Sequence, residues 1–386
     1  MIELPGVAAL WEALPEARMV GGAVRDMLAG LPVADVDFAT PLEPKEIMAR
    51  VRAAGLKAVP TGLAHGTVTV VAEGHGFEVT TLRRDIQTDG RHAMVEFTDD
   101  WKMDASRRDF TINAMSVTRD GEVFDYFGGK ADLQAGRVRF VGKARARIAE
   151  DYLRIFRFFR FSARYGRGTP DQEAVAAIRE LRDGVQMLSA ERVWSELKGI
   201  LLAADPRATV ALMQETSVLP LVLPGADIER LNALIARAAP NDPLLRVAAM
   251  LRGDVDDFAR RWRLSGAEHE RLAALSKPNL LTPDAEDDDL RRALAEEPAE
   301  TLVCRTWIGQ DDRPGWAALR ARLVARDRPV FPLQGRDLLK LGIPSGPDVG
   351  TILEDVRRWW MEGGCVADAA VCLAVGKRRM ASLRSR

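Results

Sequence analysis

The stretch GGAVRDMLAGLPVADVDF, residues 21 to 38, decides the fold of the N-terminal part of the chain. The run ARMVGG that enters it and the run DVDFAT that leaves it are short, apolar and typical of strands, whereas VRDMLAG has helical spacing. Gly21 and Gly22 therefore stand where a strand turns into a helix, and at such a turn backbone amides can approach phosphate oxygens. A tight turn that needs glycine only for its geometry has the same sequence pattern.

Two aspartates, Asp35 and Asp37, close this stretch at positions i and i+2. Residues two apart on a strand point to the same face, so the two carboxylates are expected to lie close together. Ionised carboxylates at close range repel each other, and a bound Mg²⁺ ion, which prefers hard oxygen ligands, removes the repulsion. The DxD spacing is also common at ordinary surface and turn positions, so alone it indicates a metal site only weakly.

Outside this stretch the N-terminal part continues with strand signals and one clear helix. Four runs have the β-branched or aromatic composition of strands, namely KAVPTG, GTVTVVAEG, GFEVTTLRR and VFDYFGG. From about residue 147 the strand signals end and amphipathic helices follow, beginning with RIAEDYLRIFRFFRFSARYG. The predicted fold class is α+β, a mixed sheet with helices followed by an all-α remainder. Proline-rich breaks divide the chain into a head (1–146), a neck (147–205), a body (206–325) and a tail (326–386).

Composition limits the class of protein. With 386 residues, 47% of them hydrophobic, the chain can bury a sizeable core. Its net charge of −1 comes from 55 basic and 56 acidic residues, so nucleic-acid binding would depend on local clusters of charge. The three cysteines lack metal-ligand spacing and indicate reduced, packed thiols. Neither a membrane helix nor a signal peptide is recognisable, so a cytoplasmic location without membrane association is expected.

Six motifs resemble, in order and spacing, those of the class II tRNA nucleotidyltransferase and bacterial poly(A) polymerase family. They are GGAVRD at 21–26, DVD at 35–37, RRDFTINAM at 107–115, GGKADL at 128–133, EDYLRIFRFFRFSARYG at 150–166 and ERVWSELKGILL at 191–202. A looser similarity to the family's tail covers residues 335–360. The ordered set is specific, because a chance match to several separated motifs is far rarer than a match to one. The resemblance implies a polymerase-beta-like nucleotidyltransferase head followed by a helical neck, body and tail.

The resemblance implies a catalytic metal site at the two aspartates. In the family the corresponding residues hold two Mg²⁺ ions, so Asp35 and Asp37 are expected to do so here. One ion would activate the RNA 3′ hydroxyl for in-line attack on the α-phosphate, and the other would neutralise the pyrophosphate leaving group. A third carboxylate on a neighbouring strand would complete the catalytic set. Glu78 is the candidate, and an equally good interpretation is that Glu78 is an ordinary outward-facing strand residue.

The motif RRDFTINAM resembles the family's ribose-binding segment. Asp109 can accept hydrogen bonds from the sugar hydroxyls, Asn113 lies one helical turn further on, and Arg108 can reach the triphosphate. The triphosphate is also expected beside Gly22 and Arg25. As a bare string, RRDF is equally compatible with a surface ion-pair cluster.

Base selection is implied for Asp151 and Arg154, which are spaced i and i+3 and would project together from a helix. In the family this pair takes the place of a template: the carboxylate accepts from an exocyclic amino group and the guanidinium donates to a ring nitrogen. Cytosine and adenine both offer this pattern. Uracil and guanine offer the reverse, at a cost of about 1–3 kcal/mol per unsatisfied contact. Arg157 and Arg160 continue the helical stripe and are expected to hold the triphosphate or base.

Other residues of the neck are expected to be structural. Glu191, Arg192 and Glu196 match the family's ERxxxE segment and would brace the neck helix through ion pairs. The interleaved phenylalanines are expected in the core rather than under a base: Phe156, Phe158, Phe159 and Phe161. TDGRHA at 88–93 matches the family's mobile loop, where Asp89 and Arg91 would reorient the site between adding C and adding A, although a flexible polar loop needs no such role.

The expected substrates are CTP and ATP, and the expected partner is the 3′ end of tRNA. RNA binding needs basic residues that contact phosphates. The candidates in the tail are Arg357, Arg358, Lys377, Arg378 and Arg379. No protein partner is indicated, and four histidines without a His-Asp doublet argue against an appended HD phosphohydrolase domain.

The expected activity is template-independent addition of C, C and A to tRNA, because the chain is short and lacks an extended basic tail. A poly(A) polymerase has almost the same motifs and is the main alternative. An enzyme that adds only CC or only A is a further alternative. An inactive RNA-binding homologue is disfavoured by the intact acidic residues, since a mere binding module needs no paired metal ligands.

Overall fold

The structure is a computed structural model that describes residues 5–33, 35–88, 93–340 and 346–384. The chain divides into two compact units. The first comprises Met1–Ala226 and Arg261–Arg263, and the second comprises Asp227–Arg260 and Leu264–Arg386. This division is coarser than the four predicted domains, whose boundaries stay a prediction.

All strands of the described residues lie in the first unit. They are β1 (Arg18–Val20), β2 (Asp37–Thr40), β3 (Lys57–Gly62), β4 (Thr67–Ala72), β5 (His75–Thr81), β6 (Arg83–Thr88), β7 (Ala93–Phe97), β8 (Met115–Val117) and β9 (Val123–Asp125). Seven of them form one sheet in the order β3-β4-β5-β2-β1-β8-β9, and β6 pairs separately with β7. Within the large sheet β2 and β5 run parallel and all other neighbours run antiparallel. The predicted mixed sheet is therefore confirmed.

Eleven α-helices accompany these strands in the described part of the first unit. They are α1 (Val7–Ala13), α2 (Gly22–Leu28), α3 (Pro44–Ala53), α4 (Trp101–Ser106), α5 (Gly129–Gln134), α6 (Ala144–Glu150), α7 (Leu153–Tyr165), α8 (Gln172–Leu181), α9 (Ala190–Leu201), α10 (Arg207–Glu215) and α11 (Leu219–Val222). Short 3₁₀ turns lie at Leu63–His65, Thr111–Asn113 and Arg182–Met187. After β9 the described chain is helical, as the sequence predicts.

The large sheet has two different faces because side chains alternate along each strand. Phe38 on β2 and Val79 on β5 are fully buried, and Phe38 packs edge-on against Trp11 of α1 with ring centroids 5.4 Å apart. Asp37 and Glu78, one residue earlier on the same strands, are exposed and lie directly opposite each other in the parallel register. Burial of the apolar face therefore fixes the register that brings the two carboxylates side by side.

The neck does not contain the continuous helix that the sequence predicts from residue 147. The helix α6 ends at Glu150, and α7 starts at Leu153. Asp151 between them is extended, with φ −153° and ψ 108°, and its side chain accepts a hydrogen bond from the Leu153 amide at 3.0 Å. A short polar side chain that bonds to nearby backbone competes with helix formation, so the break occurs at this aspartate although the apolar spacing continues across it.

The buried side of α7 is a phenylalanine cluster, as predicted. Phe156, Phe158 and Phe159 are fully buried, and Phe161 is 4% exposed. The ring of Phe158 stacks on Phe140 with centroids 6.1 Å apart.

The helix α9 packs closely against α7 because it carries a glycine at the contact. A Cβ atom on Gly199 would lie 2.5 Å from Cδ of Arg160. That distance is shorter than van der Waals contact allows. The spacing between α7 and α9 therefore depends on this glycine.

The second unit is helical throughout its described residues. From Ile228 onward the chain forms α12 (Ile228–Ala236), α13 (Pro243–Met250), α14 (Val255–Trp262), α15 (Gly266–Ser276), α16 (Asp287–Glu296), α17 (Ala299–Gly309), α18 (Trp316–Val324), α19 (Gly335–Leu339), α20 (Pro347–Glu362) and α21 (Ala369–Arg384). Cys304, Cys365 and Cys372 are free and buried, which confirms the predicted packed thiols. Burial raises the pKa of Cys304 to about 11. Among the helices of the described ranges, none is both long and apolar enough to cross a membrane.

Replacing Phe158 by alanine tests the importance of the neck cluster. Phe158 is fully buried, so Phe158→Ala is expected to lower the free energy of unfolding by about 3–5 kcal/mol through lost contacts and a cavity. Denaturant unfolding followed by tryptophan fluorescence measures the loss. The control is Met187→Ala at a side chain that is 78% exposed, which is expected to change stability by less than about 0.5 kcal/mol. Equal effects of the two substitutions would contradict the assigned core.

Candidate active site

A pocket of about 580 Å³ in the first unit contains every residue that the sequence predicts to bind the nucleotide. These nine residues are Gly22, Arg25, Arg108, Asp109, Asn113, Asp151, Arg154, Arg157 and Arg160. Gly21, Leu153, Phe161 and Arg192 complete the lining. The lining therefore carries six arginines against two aspartates, a charge suited to a polyanion.

The turn at Gly21 shapes one wall of this pocket. Gly21 has a left-handed φ of 70°, and a Cβ atom there would lie 2.8 Å from Nη1 of Arg108. Glycine is thus required both for the backbone conformation and for the close approach of the guanidinium. Burial lowers the pKa of Arg108, while Asp104, 3.6 Å away, opposes that shift. Arg108 remains cationic because the ordinary arginine pKa lies far above neutrality.

The carboxylate of Asp109 connects three parts of the pocket. Its Oδ1 accepts hydrogen bonds from Nδ2 of Asn113 at 3.0 Å and from the Phe110 amide at 2.9 Å. Its Oδ2 accepts from Nε of Arg157, on α7, at 2.6 Å. Asn113 in turn accepts from Nη1 of Arg25, on α2, at 2.7 Å. Asn113 belongs to a 3₁₀ turn rather than to the α-helical turn assumed from the sequence.

The ionisation of Asp109 depends on these partners. Burial raises the pKa of a carboxyl group, but the charge of Arg157 and the hydrogen bonds from Asn113 and Arg157 outweigh it, so the pKa of Asp109 is lowered. Asp109 is therefore ionised at neutral pH. It has spare acceptor capacity, because a carboxylate offers about four lone-pair sites and the protein occupies three.

The ring of Phe161 forms an aromatic floor under three cations. The guanidinium carbons of Arg160, Arg25 and Arg157 lie 4.6, 5.0 and 5.3 Å from its centroid. Glu196 on α9 accepts from Nε of Arg160 at 2.6 Å and lies 3.7 Å from Nη1 of Arg157. These contacts give Glu196 the bracing geometry expected from the sequence. They hold the arginine side chains in the pocket before any anion binds.

The pair Asp151 and Arg154 lines the pocket, but not through a shared helical face. Only Arg154 lies on α7, because Asp151 precedes that helix. The i, i+3 argument is wrong for this reason. The guanidinium of Arg154 instead donates to the carbonyl of Arg147 at 2.8 Å and pairs with Glu150.

Arg192 is a pocket residue that sequence reasoning missed, since it was expected to be purely structural. Its Nη2 donates to Oδ2 of Asp151 at 2.6 Å. The two residues are 41 positions apart, so no local spacing signals the contact. The remaining member of the segment, Glu191, pairs with Arg263 at 2.6 Å, away from the pocket lining.

A second pocket of about 530 Å³ contains the three predicted catalytic carboxylates, Asp35, Asp37 and Glu78. Asp37 opens β2, and Asp35 lies just before the strand. His75 also lines this pocket, with Nδ1 held 3.0 Å from the carbonyl of Glu73. The two pockets lie near each other on the sheet, because Asp37 pairs in register with Val20, the residue before Gly21, and its charge interacts with that of Arg108.

The charges at Asp37 favour a counter-cation. Loss of hydration raises its pKa most, the charges of Glu78 and Asp35 raise it further, and Arg108 lowers it. Within the described ranges no group of three or more His, Cys, Asp or Glu side chains is arranged to hold a metal ion alone. Mg²⁺ commonly binds through one or two carboxylates and completes its shell with waters and substrate phosphates. The donor set of Asp35 and Asp37 fits that mode of binding.

The remaining predicted residues lie elsewhere. Asp89 and Arg91 of the predicted mobile loop fall outside the described residues. The five basic tail candidates are exposed on two helices of the second unit. Arg357 and Arg358 lie on α20, and Lys377, Arg378 and Arg379 lie on α21.

Comparison with known families agrees with a nucleotidyltransferase site. Residues 17–139 match the family model described as the poly A polymerase head domain, and residues 169–229 match one described as the probable RNA and SrmB-binding site of polymerase A. The first match covers the sheet, both carboxylate strands and the RRDFTINAM motif. The fold and site thus define a polymerase-type nucleotidyltransferase.

Whole-chain relatives narrow this class. The chain is 37% identical over 370 residues to human "CCA tRNA nucleotidyltransferase 1, mitochondrial", covering 90% of this chain and 83% of the relative. It is 32% identical over 375 residues to the "CCA-adding enzyme" of Lactobacillus johnsonii, covering 93% and 92%. The crystal structure of the Bacillus stearothermophilus CCA-adding enzyme in complex with CTP superposes with a TM-score of 0.75 at 25% identity, covering 98% of each chain. The chain belongs to the CCA tRNA nucleotidyltransferase family.

Neutralising Asp109 should destabilise the protein in a pH-dependent manner. Asp109→Asn is expected to cost about 1.5–3 kcal/mol at pH 7, because Arg157 loses a charged hydrogen-bond partner. The folded-state pKa is lowered, so the contribution of the wild-type carboxylate is fully present above the ordinary aspartate pKa of about 3.9. It is lost as the pH falls through the lower folded-state value. Thermal unfolding from pH 7 to pH 2 measures the difference.

The control for this experiment is Asp120→Asn, an exposed residue between β8 and β9. It is expected to leave stability unchanged at every pH. A penalty for Asp109→Asn that stays constant down to pH 2 would show that the carboxylate charge is not the stabilising element.

Proposed function

We propose that this protein adds C, C and A to the 3′ end of tRNA from CTP and ATP, with release of pyrophosphate. The observation that carries the proposal is the arginine-rich pocket beside the carboxylates of β2 and β5. A nucleoside triphosphate needs cations for its phosphates, an acceptor for its ribose and a reader for its base, and this pocket offers each. The family of the chain supports tRNA as the acceptor.

In this proposal Asp35 and Asp37 bind magnesium, with two ions at work, and Glu78 assists beside them. Bound Mg²⁺ lowers the pKa of the RNA 3′ hydroxyl for attack on the α-phosphate and neutralises the departing pyrophosphate. The two aspartates contribute the hard oxygen donors, exposed at the start of β2. Glu78 adds a negative charge that increases the demand for a cation.

The arginines bind and orient the triphosphate. Arg25 and Arg108 lie at the Gly21 turn, nearest the carboxylate pocket, and are placed to hold the phosphates. Arg157 and Arg160 extend the cationic wall along α7. The remaining acceptor position on Asp109 takes a ribose hydroxyl, which favours ribonucleotides. Such positioning, with charge stabilisation, supplies most of the rate in phosphoryl transfer.

The base is read by Asp151 and Arg154. One oxygen of Asp151 is fixed by Arg192 and the other by the Leu153 amide, so the carboxylate has a defined direction. It accepts from N4 of cytosine or N6 of adenine, while Arg154 donates to N3 or N1. Uracil and guanine would place a carbonyl against the carboxylate and an N–H against the guanidinium, so both bases are rejected.

The RNA acceptor requires cations beyond the nucleotide pocket. The exposed arginines and lysine of α20 and α21 are proposed to contact tRNA phosphates. Asp89 and Arg91 are proposed to reorient the site between C and A addition. The cytoplasm remains the predicted compartment, whereas the human relative carries "mitochondrial" in its name.

Product length tests the function directly. Purified protein is incubated with Mg²⁺ and tRNA transcripts that end before, within or after CCA, with CTP and ATP singly and together. The expected products are two C and one A, followed by arrest. A long A ladder would identify a poly(A) polymerase, addition that stops at CC a partial enzyme, and no incorporation an RNA-binding homologue.

The proposed metal ligands are tested in the same assay. Asp37→Asn is expected to lower the rate of incorporation by at least about 10²–10³-fold, because a charge that holds the metal is lost. Removal of Mg²⁺ by EDTA should abolish activity in the wild type. Asp120→Asn serves as the matched control and should retain full activity. Asp37→Asn activity near that of the control would refute the assignment.

Base selection is tested at Asp151. Asp151→Asn replaces one acceptor oxygen by a donor, so UTP incorporation relative to CTP is expected to rise by about 5- to 150-fold, the equivalent of 1–3 kcal/mol. Single-turnover rates with each nucleotide measure the ratio. Asp183→Asn, at a side chain that is 75% exposed, is the control and should leave the ratio unchanged. An unchanged ratio in Asp151→Asn would remove this residue from base selection.

A further inference from the structure

The second unit has a cavity of its own, of about 630 Å³. It is bordered by α12, the link between α13 and α14, and the C-terminal ends of α15 and α17. Four cationic side chains line it: Arg230, Arg252, Lys277 and Arg305. None of these residues belongs to the nucleotide pocket or to the predicted tail contact.

Three of the four cations already have acidic partners. Arg252 pairs with Asp227. Lys277 and Arg305 both donate to the same oxygen, Oε1 of Glu297, each at 2.8 Å. One carboxylate therefore serves two cations, which leaves positive charge on this side of the cavity.

Arg230 is different, because its guanidinium has no hydrogen bond or ion pair with any residue in the described ranges. The nearest acid, Asp227, is occupied: Oδ2 binds Arg252, and Oδ1 accepts from the backbone amide of Arg230 at 3.1 Å. Arg230 is partly buried. Burial lowers its pKa and the like charge of Arg252 lowers it further, while the charge of Asp227 opposes the shift only in part. A partly buried cation beside a second cation is costly unless an anion joins them.

Two aspartates also line the cavity, and both are engaged. Asp254 accepts from the Asp257 amide at 2.9 Å, at the start of α14. Asp256 lies 2.7 Å from Nε2 of His269. Neither carboxylate is bonded to Arg230. Their negative charge means that the cavity can bind an anion of small charge, such as a single phosphate, but not a cluster of phosphates.

We propose that this cavity is a phosphate-binding site, with Arg230 as its principal ligand and a backbone phosphate of the tRNA as its occupant. This inference rests on the proposed function for the source of the phosphate. A guanidinium presents paired N–H donors that match two phosphate oxygens. Phosphate contacts dominate RNA affinity, so a site of this kind adds binding without sequence preference. It gives the second unit an RNA contact separate from α20 and α21.

The test is the affinity of the full-length protein for tRNA that lacks its CCA end, measured by fluorescence anisotropy over a range of salt concentrations. Arg230→Gln is expected to weaken binding by about 3- to 10-fold near 0.1 M salt and to reduce the salt slope by about one. The matched control is Arg260→Gln, which removes the same charge from the same unit at a side chain that is 74% exposed and paired with Asp257. Equal affinities and slopes for the two variants would overturn the proposal.

A folding defect is separated from a lost contact by two further measurements. Arg230→Lys keeps the charge but not the paired N–H donors, so it should recover part of the affinity lost in Arg230→Gln. The melting temperature of Arg230→Gln should stay near that of the wild type, because the substitution removes both the repulsion with Arg252 and the attraction to Asp227 and breaks no hydrogen bond or ion pair between described residues. A large drop in melting temperature together with failure of the lysine variant would assign Arg230 a structural role instead.

The source of the phosphate is distinguished by titration with inorganic phosphate. If millimolar phosphate raises the melting temperature of the wild type but not of Arg230→Gln, while tRNA affinity is the same in both, the site binds free phosphate and the RNA assignment is wrong. Failure of the proposed function is recognised separately. In that case the wild type incorporates no CTP, whereas the difference in tRNA affinity between Arg230→Gln and Arg260→Gln persists.

Discussion

The ionised carboxylate of Asp109 holds the nucleotide pocket together. Its oxygens accept hydrogen bonds from Arg157 on the neck helix α7 and from Asn113 in the head. Asn113 in turn accepts a hydrogen bond from Arg25 of α2. Because burial alone would favour the neutral acid, the charge on Asp109 depends on its partners, of which Arg157 lowers the pKa most and Asn113 and Arg154 lower it further. The sheet and the first helices after it are therefore joined by an electrostatic contact inside the pocket, and disturbing either side changes the geometry presented to a ligand.

The two pockets have opposite charge, and that contrast matches the roles proposed for them, nucleotide binding in one and metal binding in the other. One is lined by six arginines and two aspartates, and the other by three carboxylates. In the proposed function a triphosphate with its metal ions would place negative charge beside the arginines and positive charge beside the carboxylates, so substrate binding would neutralise both pockets at once. The attraction between Arg108 and Asp37 is the small part of this compensation that the protein supplies itself.

The sequence predicted those features that depend on local spacing. Alternation along β2 placed Asp37 on the face opposite Phe38, and the ordered motifs indicated nine of the thirteen residues that line the nucleotide pocket. Features that depend on distant parts of the chain were missed. Arg192 reaches Asp151 across 41 positions, and no pattern in either segment signals that pairing. The break at Asp151 was missed because apolar periodicity reports burial, not backbone angles. β6, β7 and β8 were not predicted: β6 is strongly polar, β7 follows directly on the stretch assigned to a loop, and β8 has only three residues.

The hydrogen bond from Arg192 that orients Asp151 has a consequence for the proposed selection of the base. Arg154 lies on α7 and Asp151 lies in the break before that helix, whereas Arg192, which orients Asp151, lies on α9, so the two residues of the proposed reader are positioned by different helices. The side chain of Arg160 on α7 packs against Gly199 of α9, where a Cβ atom would lie 2.5 Å from its Cδ. In a nucleic acid the template is a sequence of bases, whereas in the proposed reader it is the spacing between two helices. If Asp151 and Arg154 read the base as proposed, a substitution that changes this spacing would alter which base fits while leaving both residues in place.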